Sequence, residues 1–198
     1  EFPDYKLISL GQRAFYEHNN LKEINLGNDI EFIAYEAFYY CHNIKCVYLP
    51  KSIKEISEGA FRNNANKTIY YQGSLEEFNN VTIFKDFDMN LIAEYNVDSV
   101  SYIETDKYEY ALVNEELIYN FKHLDNLITK FDFTTEFPEY KLISLATEAF
   151  KGCQYLVSIE LDDNLKYVGN NAFDYCRELK TINLPETVEE IGDNAFNT

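Results

Sequence analysis

The chain has 198 residues, 46% of them apolar and 16% aromatic, which is enough for a packed core and too apolar for global disorder. Against 34 acidic residues stand 17 lysines and arginines, a formal net charge of -17, and that balance repels phosphate backbones and speaks against nucleic acid as a partner. No apolar run of about 18 residues is present, so membrane insertion by these residues is not expected.

Taken in chain order, the first segment is repetitive. The dipeptide Ala-Phe occurs at Ala14-Phe15, Ala37-Phe38 and Ala60-Phe61, a step of 23 residues. Other apolar positions keep the same phase: Leu21, Ile24, Leu26, Ile30 and Ile33 return as Ile44, Val47, Leu49, Ile53 and Ile56. In Ile24-x-Leu26 the apolar residues alternate, which suits a short strand with one face buried, and Pro50 stops the next one. The remaining spacing fits neither a sustained strand nor a sustained helix. A coil that aims every turn's apolar residues at one axis explains it, with successive strands pairing in parallel about 4.8 Å apart. Residues 1–63 form this first run.

Residues 64–101 lack the Ala-Phe marker and read as an irregular closing segment. In TIYYQGSLEEF at 68–78, Ile69 and Tyr71 are expected to point inward. Ser74 with Glu77 forms a capping box, which predicts a short helix after Gly73 burying Leu75 and Phe78. Asp86-x-Asp88-x-Asn90 opens like a calcium loop, but Leu91 and Val97 stand where Gly and Glu are needed, so a solvated acidic loop is the expectation. Residues 102–135 read as a β-rich connector, with alternation at Ser99–Ile103 and Tyr108–Val113 and a turn at Asn114-Glu115.

The last segment, 136–198, copies the first. EFPDYKLISL at the start returns as EFPEYKLISL at 136–145, and Ala149-Phe150, Ala172-Phe173 and Ala195-Phe196 repeat the marker. An offset of 135 residues maps Cys41 onto Cys176, Pro50 onto Pro185 and Phe61 onto Phe196.

LKTINLPETVEEIGDNAF at 179–196, with the Cys slot filled at Cys41, Cys153 and Cys176, resembles the BspA-like leucine-rich repeats of surface proteins. Ala34 and Ser57 depart from that pattern where Gly169 and Gly192 keep it, and His18 replaces the Cys. The resemblance implies an α/β-type repeat solenoid, a right-handed coil with a parallel β ladder and short helical turns. It also makes 68–78 look like the segment that closes a run of repeats. A longer secreted or cell-surface parent is expected, both from the resemblance and because the chain opens in mid-repeat without Met.

Nothing in the residues assembles a nucleophile, base and orienter, so no enzyme and no cofactor are expected. His18, His42 and His123 show no ligand spacing, and no metal site is expected. Cys153 and Cys176 lie one repeat apart, within disulfide reach, yet in-register side chains point the same way and favour buried thiols. The expected activity is non-catalytic binding of a protein or extracellular-matrix ligand; a structural spacer, or less favourably an enzyme using the irregular middle, are the alternatives. The candidate contact residues are the outward side chains of the first ladder: Lys22, Glu23, Asn25, Lys45, Tyr48 and Tyr70. Cys46, equivalent to Glu23, is expected to be exposed with them.

Overall fold

The computed structural model describes residues 6–64, 68–85, 87 and 92–197, and the side chains of Ile92 and Ala93 are outside that description. The chain divides into two compact units, residues 1–100 and 101–198.

The first unit runs β1 (Ser9–Leu10), β2 (Glu23–Asn25), β3 (Phe32–Ile33), β4 (Cys46–Leu49), β5 (Glu55–Ile56), β6 (Thr68–Tyr71), α1 (Leu75–Phe78), β7 (Thr82–Ile83) and β8 (Ile92–Glu94). Alternate strands build two parallel ladders, β2-β4-β6-β8 and β1-β3-β5-β7. The register carries each residue onto its repeat equivalent, Ile24 onto Val47 and Ile33 onto Ile56. Leu10, Ile24, Ile33, Phe38, Val47, Ile56, Phe61 and Ile69 form one core with Phe78.

A third line of inter-coil hydrogen bonds runs along the Ala-Phe corner. Phe15 N donates to Ala37 O and Phe38 N to Ala60 O, both at 2.8 Å. Here the backbone alternates through the left-handed region, at Arg13, Glu36 and Gly59 and again at Glu148, Asn171 and Asn194. Left-handed non-glycine residues are locally unfavourable by roughly 1–2 kcal/mol each, and the corner persists because Arg13, Glu36, Gly59, Glu148 and Asn171 also donate to the neighbouring coil, as Arg13 N does to Tyr35 O. The phenylalanines thereby stack: Phe15, Phe38 and Phe61 have centroids 5.1 and 5.2 Å apart, nearly parallel.

The capping box at Ser74 is present. Ser74 Oγ accepts from Glu77 N, and the Glu77 carboxylate accepts from Ser74 N. Phe78 is buried as expected, but Leu75 is 52% exposed. A four-residue helix buries one position here: Phe78 packs edge-on against Tyr71, with centroids 4.8 Å apart. Asp86, Asp88 and Asn90 lie outside the described residues.

The second unit runs β9 (Val100–Glu104), β10 (Tyr108–Val113), β11 (Leu117–His123), β12 (Lys130–Asp132), α2 (Phe133–Glu136), β13 (Lys141–Leu142), β14 (Ser144–Leu145), β15 (Ser158–Glu160), β16 (Tyr167–Val168), β17 (Thr181–Asn183) and β18 (Glu190–Ile191). The antiparallel pair β10-β11 is joined through Asn114 and Glu115, both left-handed, as a primed turn matched to strand twist requires. β11 then turns parallel to β13 and β14, starting a ladder that continues through β16 to β18. The other ladder is β12-β15-β17. Phe150, Phe173 and Phe196 repeat the stack at 5.3 and 5.1 Å.

Candidate binding surface

The two copies of the repeat present their strand ladders differently. In the first, β2 alternates as its sequence dictates: Ile24 is buried, Asn25 exposed and Glu23 half-buried, with Lys22 exposed and Lys45 half-buried beside them. The next two strands do not alternate. All four residues of β4 are buried, and Tyr70 in β6 is 0% exposed.

The expected exposure of Tyr48, Tyr70 and Cys46 is therefore corrected. None of the three belongs to the inner apolar core; they are buried on the opposite face. Over Tyr48 the cover is the stretch 96–98. Asn96 N donates to Gly73 O at 2.9 Å and Val97 N to Tyr71 O at 3.1 Å, while the Tyr48 hydroxyl donates to Val97 O and Asp98 O, each at 3.2 Å. Burial raises the Tyr48 hydroxyl pKa, with Asp98 adding to it, and pushes the Cys46 thiol up to about 12, with Glu23 adding to that. The signal was in the sequence: Cys46-Val47-Tyr48-Leu49 and Ile69-Tyr70-Tyr71 are unbroken apolar runs, which mark strands covered on both faces.

In the second copy the outward face is open. β12, β15 and β17 are in register, placing Lys130, Ser158 and Thr181 in one row and Asp132, Glu160 and Asn183 in the next. Lys130, Glu160, Thr181 and Asn183 are exposed, and Ser158 and Asp132 half-buried. Phe131, Ile159 and Ile182 take the inward positions. The 135-residue offset points to Ser158, Glu160, Thr181 and Asn183 as equivalents of Glu23, Asn25, Cys46 and Tyr48, so four of these residues were within reach of sequence reasoning. Lys130 and Asp132 were hidden because their coil lacks the Ala-Phe marker.

The cysteines are free and buried. They do more than fill space: the Cys41 thiol donates to Phe15 O at 2.9 Å and the Cys176 thiol to Phe150 O at 3.1 Å, the same bond in both copies. Burial pushes the Cys153 thiol to about 12 and the Cys176 thiol to about 11. His18 and His42 are exposed and His123 is buried. Among the described residues no group of three His, Cys, Asp or Glu side chains is arranged to hold a metal ion, and no helix is long and apolar enough to cross a membrane. A pocket of about 200 Å³ in the second unit is lined by Lys122, His123, Leu124, Asn126, Glu148 and Lys151. Its Lys151 ammonium is held by Glu148 at 2.6 Å and Asp174 at 3.6 Å, and the Lys151 hydrogen bond keeps the Glu148 carboxyl below its usual range.

Six copies of the BspA type leucine rich repeat region match residues 1–113 and 118–198. The chain belongs to that family. Among solved structures, this BspA-type chain is similar to a leucine rich cell surface protein from Faecalibacterium prausnitzii A2-165, at 20% identity over 96% of this chain and 61% of that one, with a TM-score of 0.35. A leucine-rich repeat protein from Bacteroides ovatus ATCC 8483 is similar at 18% identity over 96% and 44%, with a TM-score of 0.31. The chain thus spans less than two thirds of the length of either. No curated protein matches it.

Proposed function

We propose that this BspA-type chain is a non-catalytic protein-binding or adhesion module of a larger secreted or cell-surface protein, taking a protein or extracellular-matrix ligand along its open strand faces. The observation that carries this reading is the β12-β15-β17 ladder, where Lys130, Glu160, Thr181 and Asn183 stay exposed while the equivalent face of β4 is buried. A flat row of polar side chains held by a rigid coil gives a partner many contacts at little conformational cost. Lys22, Glu23, Asn25 and Lys45 continue as candidates on the first copy; Tyr48 and Tyr70, being buried, are replaced by Glu160, Thr181 and Asn183.

The test is binding of the immobilised chain to purified serum and extracellular-matrix proteins, followed by the double variant Glu160→Lys and Asn183→Lys with melting temperature measured alongside. Loss of binding at least tenfold with an unchanged melting temperature supports the reading. Undiminished binding would move the site elsewhere, and no binding to any of the proteins would favour the spacer.

A further inference from the structure

His123 occupies a place that the sequence repeat does not mark. Its backbone N–H donates to Ala149 O at 2.9 Å, just as Phe150 donates to Ala172 O and Phe173 to Ala195 O. Its ring sits 5.7 Å from that of Phe150, which continues to Phe173 and Phe196. The aromatic ladder of the second unit therefore begins with an imidazole. The step from His123 to Phe150 is 27 residues instead of 23, which breaks the period and conceals the rung.

Three further features make this imidazole pH-sensitive. It is 5% exposed and boxed by the rings of Tyr108 and Phe131, near-perpendicular to it with centroids at 5.0 and 5.2 Å. Its Nδ1 accepts the Asp125 N–H at 3.2 Å, so the neutral ring carries its proton on Nε2, and a second proton would set donor against donor. The charged groups around it are of both signs. Asp125 on its own turn, Glu136 from α2 and Lys107 before β10 act on it, and Lys122, Glu148 and Lys151 line the adjoining pocket, three cations against three carboxylates.

We propose that His123 is an acid-sensitive latch on the first coil of the second unit: neutral, it seals the end of the aromatic ladder and anchors the 123–125 turn, and protonated, it releases both. Burial holds its pKa below the ordinary histidine value, the nearby carboxylates only partly offsetting this. The unfolded chain takes up the proton near pH 6.5 and the folded one at lower pH, so the stability contributed by His123 is complete above about pH 6.5 and is lost as pH falls below it. The first coil, with its exposed Leu124 and Leu127, is the part that loosens.

The test uses the whole chain. Imidazole proton resonances should show His123 titrating below 6.5 in the folded state; a value at or above 6.5 overturns the proposal without any variant. His123→Phe restores the repeating aromatic and should remove the fall in melting temperature between pH 7 and pH 5, whereas His18→Gln and His42→Gln should keep it. A His123→Phe variant with the wild-type pH dependence would also overturn it. Should that variant fail to fold, hydrogen exchange of the wild type decides: the Asp125 and His123 amides should lose protection on acidification before those of β16 and β17, and simultaneous loss would contradict the latch.

Discussion

Residues 6–62 and their copies at 141–197 place apolar side chains at the same inward positions but differ in what surrounds the outward face of their later ladder strand, β4 in one and β17 in the other. Val47 and Ile182 are equivalent, as are Tyr48 and Asn183; the first pair faces the coil interior in both copies, while Tyr48 is 5% exposed and Asn183 stands open. Inward direction is a property of the repeat itself, fixed by the register of one coil on the next, while burial varies along the stack: Ile191 and Phe196 are 48% and 38% exposed where their equivalents Ile56 and Phe61 are buried. Outward burial is set by the chain that crosses the strand, here the stretch whose Val97 and Asp98 carbonyls take the Tyr48 hydroxyl. A duplicated module can thus keep one core and present two different faces.

The strongest check of the shared half is Phe173→Ala, which should cost roughly 3–5 kcal/mol, as for a buried aromatic with rings on both sides. Phe196, 38% exposed, should cost clearly less on the same substitution in denaturant melts. Equal and negligible losses at the two positions would contradict the coil.

The differing half is sharpened by a matched pair. Tyr48→Ala removes a buried ring and a hydroxyl with two acceptors, and should cost about 3 kcal/mol. Asn183→Ala, on the exposed face, should stay within about 0.5 kcal/mol. Similar losses at both would mean that the two faces are equally covered.

A smaller effect separates the copies at the coil spacing. A Cβ on Gly169 would run into the backbone of Ala146 and Thr147, so Gly169→Ala should cost about 1–3 kcal/mol through overpacking. The first copy already carries Ala34 at that point. Its reversal, Ala34→Gly, should change chemical-denaturation midpoints little.

The coil, its ladders and the capping box at Ser74 were legible because they rest on periodic apolar residues and a local motif. The Ala-Phe corner was only half legible: the stacked rings follow from the marker, but its left-handed backbone falls on Arg13, Glu36 and Glu148, residues that give no sign of it. Exposure was where periodicity failed, since equating Cys46 with Glu23 assumed that equivalent positions see equivalent surroundings. Leu75 failed for a related reason, as one helical turn has too little surface to bury two residues. His123 escaped because a four-residue insertion shifted it out of phase.

The most direct measurement of the contrast between faces is thiol labelling, read site by site with mass spectrometry. Cys46 is 1% exposed with its thiol pKa raised to about 12, and Thr181→Cys places a thiol at the equivalent exposed position. Cys46 should label at least about a hundredfold more slowly than Thr181→Cys in the folded chain, since reaction needs both thiolate and access. Matching rates would contradict the claim that the outward face of β4 is sealed and that of β17 open.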